Sequence, residues 1–168
     1  MAKHLIEDIR NISMVGHRAV GKTSLVESMM FKAGSNDRLG KVADKTSLSD
    51  FDTEEHERQF SIESSILHLN WKNKMVNLID TPGYPDFIGQ CIGALRASET
   101  AVIVLSAPSG IELNTRRTYQ EAVKEGLAKI LVVNHMDAEN IAFDTLISNI
   151  QETFGNNCVP LNLPIGIG

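Results

Sequence analysis

The sequence predicts an α/β domain of three layers, a mostly parallel sheet with helices on both faces and one antiparallel pair at its edge. Three observations predict it. Short β-branched runs alternate with segments of helical period, the pattern of strand–helix–strand units. Ala101–Ser106 is continuously apolar, as a strand buried on both faces of a parallel sheet must be. Leu67, Leu69 and Trp71 alternate with His68 and Asn70, and Lys72-Asn73-Lys74 then turns the chain into the strand Met75–Ile79, a hairpin. The 168 residues leave room for one domain.

The remaining elements follow in order. Asn11–Val15 is the first strand. Leu25, Val26, Met29, Met30 and Ala33 then share one helical face, which Gly34 closes. From Ser35 to Gln59 the chain is polar, with Asp50, Asp52, Glu54, Glu55 and Glu57 clustered. That is too long and too polar for an ordinary connection, so the stretch is functional, disordered or both. Beyond the hairpin, Ile88, Cys91, Ile92 and Leu95 recur at helical spacing. Tyr119, Ala122 and Val123 set a third helix, Lys129–Asn134 a strand, and Phe143, Leu146, Ile147, Ile150 and Phe154 a fourth helix. Val159–Leu163 is expected to start a sixth strand.

Composition removes several classes of function. Lys plus Arg total 16 against 21 Asp plus Glu, a net charge of −5, so the chain lacks the basic footprint of a surface that binds nucleic acid. The longest apolar stretch, Ala101–Ala107, is far short of a membrane span. Lys3, Glu7, Asp8 and Arg10 crowd the start, where a signal peptide would be apolar. Cys91 and Cys158 are too few and too far apart for a zinc cluster or a disulfide framework, and Cys91 fits a buried helix face. A soluble, cytoplasmic, monomeric domain with no direct DNA or membrane partner is expected.

The chemistry begins at Gly16-His17-Arg18-Ala19-Val20-Gly21-Lys22-Thr23, which fits G-x-x-x-x-G-K-[ST] in every fixed position, after a strand and opening a helix. Glycines let the backbone curl so that successive N–H groups face one anion, and the helix N-terminus adds partial positive charge. Lys22 can reach the β- and γ-phosphates, and the Thr23 hydroxyl can take a Mg²⁺ position. Val76–Asp80 is an apolar strand ending in a carboxylate, as expected of an Asp that holds Mg²⁺ through water. It runs on as Thr81-Pro82-Gly83, where the Gly83 N–H can bond a γ-phosphate. After a later strand stand Asn134-His135-Met136-Asp137. There the Asp137 carboxylate can accept both N–H groups of the guanine edge, for which adenine offers no match. Alone, Asp137 would read as a helix N-cap. Three such segments in this order, each at a strand's carboxyl end, make a guanine-nucleotide site.

With these residues in view the chain resembles the translational GTPases, and elongation factor G and the elongation-factor-G-like proteins most of all. Asp80-Thr81-Pro82-Gly83-Tyr84-Pro85-Asp86-Phe87 is similar to the family's D-T-P-G-H-x-D-F, and the region from Asp50-Phe51 through Glu57-Arg58 to Ser61-Ile62 is similar to its first switch, which ends E-R-G-I-T-I. Gly16-His17 also suits the family's phosphate loop. The resemblance implies a phosphate-loop GTPase with GTP/GDP and Mg²⁺ as cofactors and the ribosome as partner. Four positions depart from the pattern. Ser61 stands where the family has its Mg²⁺-binding threonine and keeps the hydroxyl. Ala19 replaces an aspartate of elongation factor G. His135 replaces the usual lysine, and its ring can stack on guanine. Tyr84 replaces the histidine that positions water, a tyrosine shared with the elongation-factor-G-like branch.

The candidate residues are therefore Lys22, Gly83 and Tyr84 for catalysis, and Thr23, Ser61 and, through water, Asp80 for the metal. Gly16, Ala19, Val20, Gly21, Lys22, Thr23, Ser24, Asn134, His135 and Asp137 are the candidates for nucleotide binding. Tyr84 either aims water through its single hydroxyl or packs against Phe87 and Ile88. Hydrolysis is expected to be slow until a partner orders the segments Ser35–Ser61 and Asp80–Phe87. The alternatives are a GTP-gated ribosome-binding module with little hydrolysis, a related release or ribosome-protection factor, and an ATP-dependent phosphate-loop enzyme. His17, His56, His68 and His4 are expected to pack, to sit in a solvated loop, to lie on the open hairpin face and to belong to a loose terminus, respectively. The family's domain closes with a further strand, a Ser-Ala loop on the guanine carbonyl and a helix, after a subdomain that follows the stretch matching Val159–Ile165. Residues 1–168 are thus expected to be an N-terminal, C-terminally incomplete part of a GTP-binding domain. It would lack the last helix and the Ser-Ala loop, expose an apolar strip along its sheet and bind nucleotide weakly.

Overall fold

The computed structural model describes residues 4–49, 54–55 and 60–165; Asp50, Phe51, Asp52, His56, Glu57, Arg58 and Gln59 lie outside them. Along the described chain run β1 (Ile9–Gly16), α1 (Lys22–Lys32), β2 (Ser65–Trp71), β3 (Lys74–Asp80), α2 (Ile88–Arg96), β4 (Thr100–Ser106), α3 (Leu113–Lys124), β5 (Ala128–Asn134) and α4 (Phe143–Phe154). Each expected strand and helix from the first strand to the fourth helix is present, with ends shifted by a few residues.

Local chemistry accounts for the boundaries. The hairpin turns through Lys72 and Asn73, both with positive φ (46° and 63°), the two-residue turn whose twist matches antiparallel strands. α1 ends where Gly34 takes φ +70°, and the Ser35 N–H returns to the Met30 carbonyl at 3.0 Å. Gly126 does the same after α3, where the Leu127 N–H reaches the Ala122 carbonyl at 2.9 Å. Lys32, Arg96 and Lys124 lie in the last turns of α1, α2 and α3, where a cation meets the negative end of the helix dipole.

The strands order as β2-β3-β1-β4-β5. β1 pairs in parallel with β3 and β4, β4 pairs in parallel with β5, and only the edge pair β2–β3 is antiparallel. Alternate residues of β4 define two faces. Val102 and Val104 join Met14, Val26, Met30 and Leu78 under α1. Ala101 and Ile103 pack with Cys91, Leu95 and Ala122 from α2 and α3, and Leu105 packs with Leu146 and Ile150 from α4. β4 is buried on both faces, which is why its sequence runs apolar without alternation. Val123, assigned to the apolar side of its helix, is exposed, and so is Trp71 at the turn end of the hairpin. No described helix is long and apolar enough to cross a membrane.

The sixth strand does not form. Residues 159–165 join no strand ladder, and Val159, Leu161, Leu163 and Ile165 are exposed. Their alternation with Pro160, Asn162 and Pro164 imitates a strand, but two prolines in five residues remove the N–H groups a ladder needs. β5 is therefore an edge of the described sheet, with Ile130 exposed.

The core can be tested at two places. Gly16 sits at φ +143°, and a β-carbon there would strike the Val104 carbonyl oxygen. Gly16→Ala should cost about 2–4 kcal/mol, seen as a lower urea midpoint at unchanged slope. Cys91 is fully buried, and burial pushes its thiol above the ordinary value, outweighing the lowering effect of its contact with Thr81. The folded chain keeps that thiol protonated where the unfolded chain ionises. Stability, followed by urea titration across alkaline pH, should therefore fall as pH rises through the ordinary thiol value of about 9.

Candidate functional site

The register places the chemistry. Because β1 runs between β3 and β4, the chain leaves β1 at the point where successive connections diverge to opposite sides of the sheet. Ligands bind at such a switch point, beyond the carboxyl ends of the strands. Met14 stands opposite Asp80, Gly16 opposite Val104 and Ser106 opposite Asn134, so the loops after β1, β3, β4 and β5 open on one edge.

The loop Gly16–Thr23 uses left-handed backbone to curl: Gly21 (φ +88°) precedes the first turn of α1, and Ala19 (φ +57°) takes the same region without glycine's freedom. A non-glycine residue held there costs about 1–3 kcal/mol. Val20 is buried and roots the loop in the core beneath α1. Lys22, also buried, donates from Nζ to the His17 carbonyl at 2.8 Å, so the ammonium lies along the curl. Ser24 is exposed at the start of α1.

Three segments converge beside it. Thr23 Oγ1 donates to Asp80 Oδ2 at 2.7 Å and lies 3.5 Å from Ser61 Oγ. The three expected metal ligands, distant in sequence, thus stand together. Their donors are two hydroxyls and a carboxylate, hard oxygens suited to Mg²⁺. Among the described residues no group of three or more His, Cys, Asp or Glu could hold a metal by itself.

Two buried carboxylates brace the polar segment: Glu55, expected in a solvated acidic stretch but buried, and Glu27, which the sequence reading assigned no role. Glu55, 2% exposed, accepts the Ile62 N–H at 2.8 Å and the Glu63 N–H at 3.2 Å, which fixes the backbone just after Ser61. Glu27, 1% exposed within α1, accepts from the Ser47 hydroxyl at 2.9 Å and from the Leu48 N–H. It ties the polar loop to the helix that carries Lys22 and Thr23. A buried carboxylate costs much less when donors meet it, and here the Ser47 hydroxyl and loop N–H groups supply them, although Glu27 Oε2 has no hydrogen-bond partner among the described residues. The one signal for Glu27 was its place between Val26 and Met30 on an otherwise apolar face.

Tyr84 faces the phosphate loop. Its ring lies 4.4 Å from that of Phe60, and the Arg18 guanidinium stands 5.3 Å from the ring centroid. Arg18 Nη1 also donates to the Tyr84 hydroxyl at 3.3 Å. Neither Arg18 nor Phe60 was a candidate from sequence, since nothing local joins either to residue 84. His17, expected to pack, brings Nε2 to 3.4 Å from Glu112 Oε1 at the start of α3.

At the end of β5, Asn134 Nδ2 donates to the Val20 carbonyl at 3.0 Å, and a β-carbon on Gly21 would collide with that amide. His135 takes φ +56° and brings Nδ1 to 2.9 Å from Ser106 Oγ. Asp137 is exposed in the turn that follows. Lys22, Thr23, Ser61, Gly83, Tyr84 and His135 share the walls of one cleft of about 230 Å³ with Arg18, Ala19, Gly21 and Ser24; Asp137 does not line it.

Known proteins resemble this chain along most of its length. A family model, the elongation factor Tu GTP binding domain, matches residues 7–163. The elongation factor G-like protein of Thermotoga maritima is 35% identical over 161 residues, 96% of this chain and 23% of the relative. That of Mycobacterium tuberculosis strain CDC 1551 is 34% identical over 160 residues, 95% of this chain and 22% of the relative. A crystal structure of a Thermus thermophilus protein superposes with a TM-score of 0.84 at 32% identity, covering 88% of this chain and 22% of that one. The chain thus spans less than a quarter of the length of the curated relatives it matches. It belongs to the elongation factor Tu GTP-binding domain family and is a translational GTPase domain.

Proposed function

We propose that this domain binds GTP and hydrolyses it as a switch of the elongation factor G type, acting on the ribosome in the cytoplasm. What supports this is the meeting of Thr23, Ser61 and Asp80 within 3.5 Å, because it joins the phosphate loop, the polar loop and the end of β3 at the point where γ-phosphate and metal would lie. A segment that contributes one metal ligand is ordered by nucleotide and released when the γ-phosphate leaves.

The residues then take these roles. The curled N–H groups from Gly16 to Thr23, with Ala19, Val20, Gly21 and Ser24, receive the phosphates, and Lys22 leaves the His17 carbonyl to neutralise the β- and γ-oxygens. Thr23 and Ser61 give hydroxyls to Mg²⁺, and Asp80 holds it through water. Bound there, the ion supplies charge stabilisation for the transferring phosphoryl group. The Gly83 N–H meets the γ-phosphate. Asn134 braces the phosphate loop from the base side, His135 offers a ring to stack on guanine, and Asp137 accepts the two N–H groups of the guanine edge. Tyr84, next to Gly83, accepts a hydrogen bond from the attacking water at its hydroxyl oxygen, beside the position that Arg18 occupies.

One observation favours a second reading, a GTP-gated ribosome-binding module with little hydrolysis. Tyr84 already spends its ring on Phe60 and Arg18 and an acceptor site on Arg18, which is how a packing residue behaves. Single-turnover GTP hydrolysis with and without ribosomes separates the two. Ribosomes should accelerate the parent, and Tyr84→Phe should slow the stimulated rate by at least about tenfold; no acceleration of the parent would leave the module reading standing, and a stimulated rate equal to the parent's in Tyr84→Phe would take water positioning from Tyr84. For the base, GTP should displace bound GDP where ATP does not, and Asp137→Ala should weaken GTP about 10- to 100-fold. Equal competition by ATP in the parent would remove guanine from the assignment.

A further inference from the structure

The segment from Asp80 to Gly83 is pinned residue by residue, each time by a different element. Asp80 accepts from Thr23 at the start of α1. Thr81 Oγ1 donates to the Met14 carbonyl of β1 at 2.7 Å. The Pro82 carbonyl lies 3.3 Å from the Cys91 thiol of α2. The Gly83 carbonyl accepts from Asn114 Nδ2, in the first turn of α3, at 2.7 Å. That last bond is fully buried, with Asn114 at 0% exposure.

Asn114 is an expensive residue for its place. It sits inside the protein where an apolar side chain would pack without loss, and its Oδ1 has no hydrogen-bond partner among the described residues. A half-satisfied buried amide opposes folding, so the bond it does make is the feature to explain. Its target is wedged from the opposite side. A β-carbon on Gly83 would lie 2.5 Å from Lys22 Nζ and 2.6 Å from both the Arg18 Cα and the His17 carbonyl oxygen. Gly83 is therefore held between the phosphate loop and Asn114, with no room to slide toward either. The same end of α3 touches the loop directly, through Glu112 and His17.

The geometry points to Asn114 as a positioning residue for the γ-phosphate: it sets the orientation of Gly83 from α3 and so lets the site tell a nucleoside triphosphate from a diphosphate without touching either. This rests on the reading above in which the Gly83 N–H meets the third phosphate. A diphosphate does not reach Gly83, so losing the anchor leaves its binding intact. A triphosphate has to hold a Gly83 that is free to turn, and its affinity falls.

The test uses the full chain with Mg²⁺ and two probes, fluorescent GDP and a fluorescent β,γ-imido GTP analogue. Asn114→Asp keeps the shape but replaces the donor with an acceptor facing the Gly83 carbonyl, and Asn114→Ala removes both. Each should weaken the triphosphate analogue about tenfold while GDP stays within about twofold, so the ratio of the two affinities moves. A merely structural role lowers both affinities together, and that result, an unchanged ratio, or a gain for the triphosphate overturns the inference. If the parent binds neither probe, the nucleotide reading fails, and hydrogen exchange across residues 80–87 judges the anchor by itself: faster exchange in Asn114→Asp than in the parent supports it, and equal exchange overturns it.

Discussion

The parallel register of β1 against β3 and β4 is the constraint from which the site follows. With Met14 opposite Asp80 and Gly16 opposite Val104, the strand ends line up so that the loop after β1 rises between its neighbours rather than to one side. The approach is close enough that only a glycine fits at residue 16. Shift the pairing by one residue and the Asp80 side chain would exchange faces, ending its bond to Thr23. The burial of β4 on both faces holds that register, because a slip would drag Val102, Val104, Ile103 and Leu105 out of two cores at once.

On this frame buried polar groups hold the polar segment and the end of β3, in addition to the apolar packing of Val20 and Phe60. Glu27 and Glu55 each take two donors from neighbouring loop, and Asn114 takes the Gly83 carbonyl. Such bonds contribute little net stability where water can replace them and cost much when broken inside. A loop fastened this way has a defined shape, because leaving it strands buried polar groups.

Much of the fold was legible in the sequence because it is set by neighbours along the chain. The two-residue alternation of Leu67 to Trp71, the helical spacing of Ile88 to Leu95 and the unbroken apolar run of β4 each reflect burial of one element's own face. The failure at Val159–Leu163 has the same origin. Its alternation satisfied the pattern, but Pro160 and Pro164 decide against a ladder, and pairing also needs a partner strand that periodicity does not report. In the site, Lys22, Thr23 and Asp80 were legible from motifs, whereas Arg18, Phe60, Glu55 and Asn114 carry no local signature.

What the sequence determined by itself was the set of local motifs: a glycine-rich loop between strand and helix, a carboxylate at a strand end, the segment Asn134–Asp137 after β5 and the presence of Tyr84, all encoded within stretches of a few residues. Tertiary structure alone decided how those stretches restrain one another. It set Arg18 and Phe60 on Tyr84, Ser61 beside Thr23, and Asn114 behind Gly83. The physical reason is that these contacts join residues tens of positions apart, so each depends on strand register and helix packing established elsewhere. Hydrogen bonds with a reach of about 3 Å cannot be read from a chain until the sheet has brought their partners together.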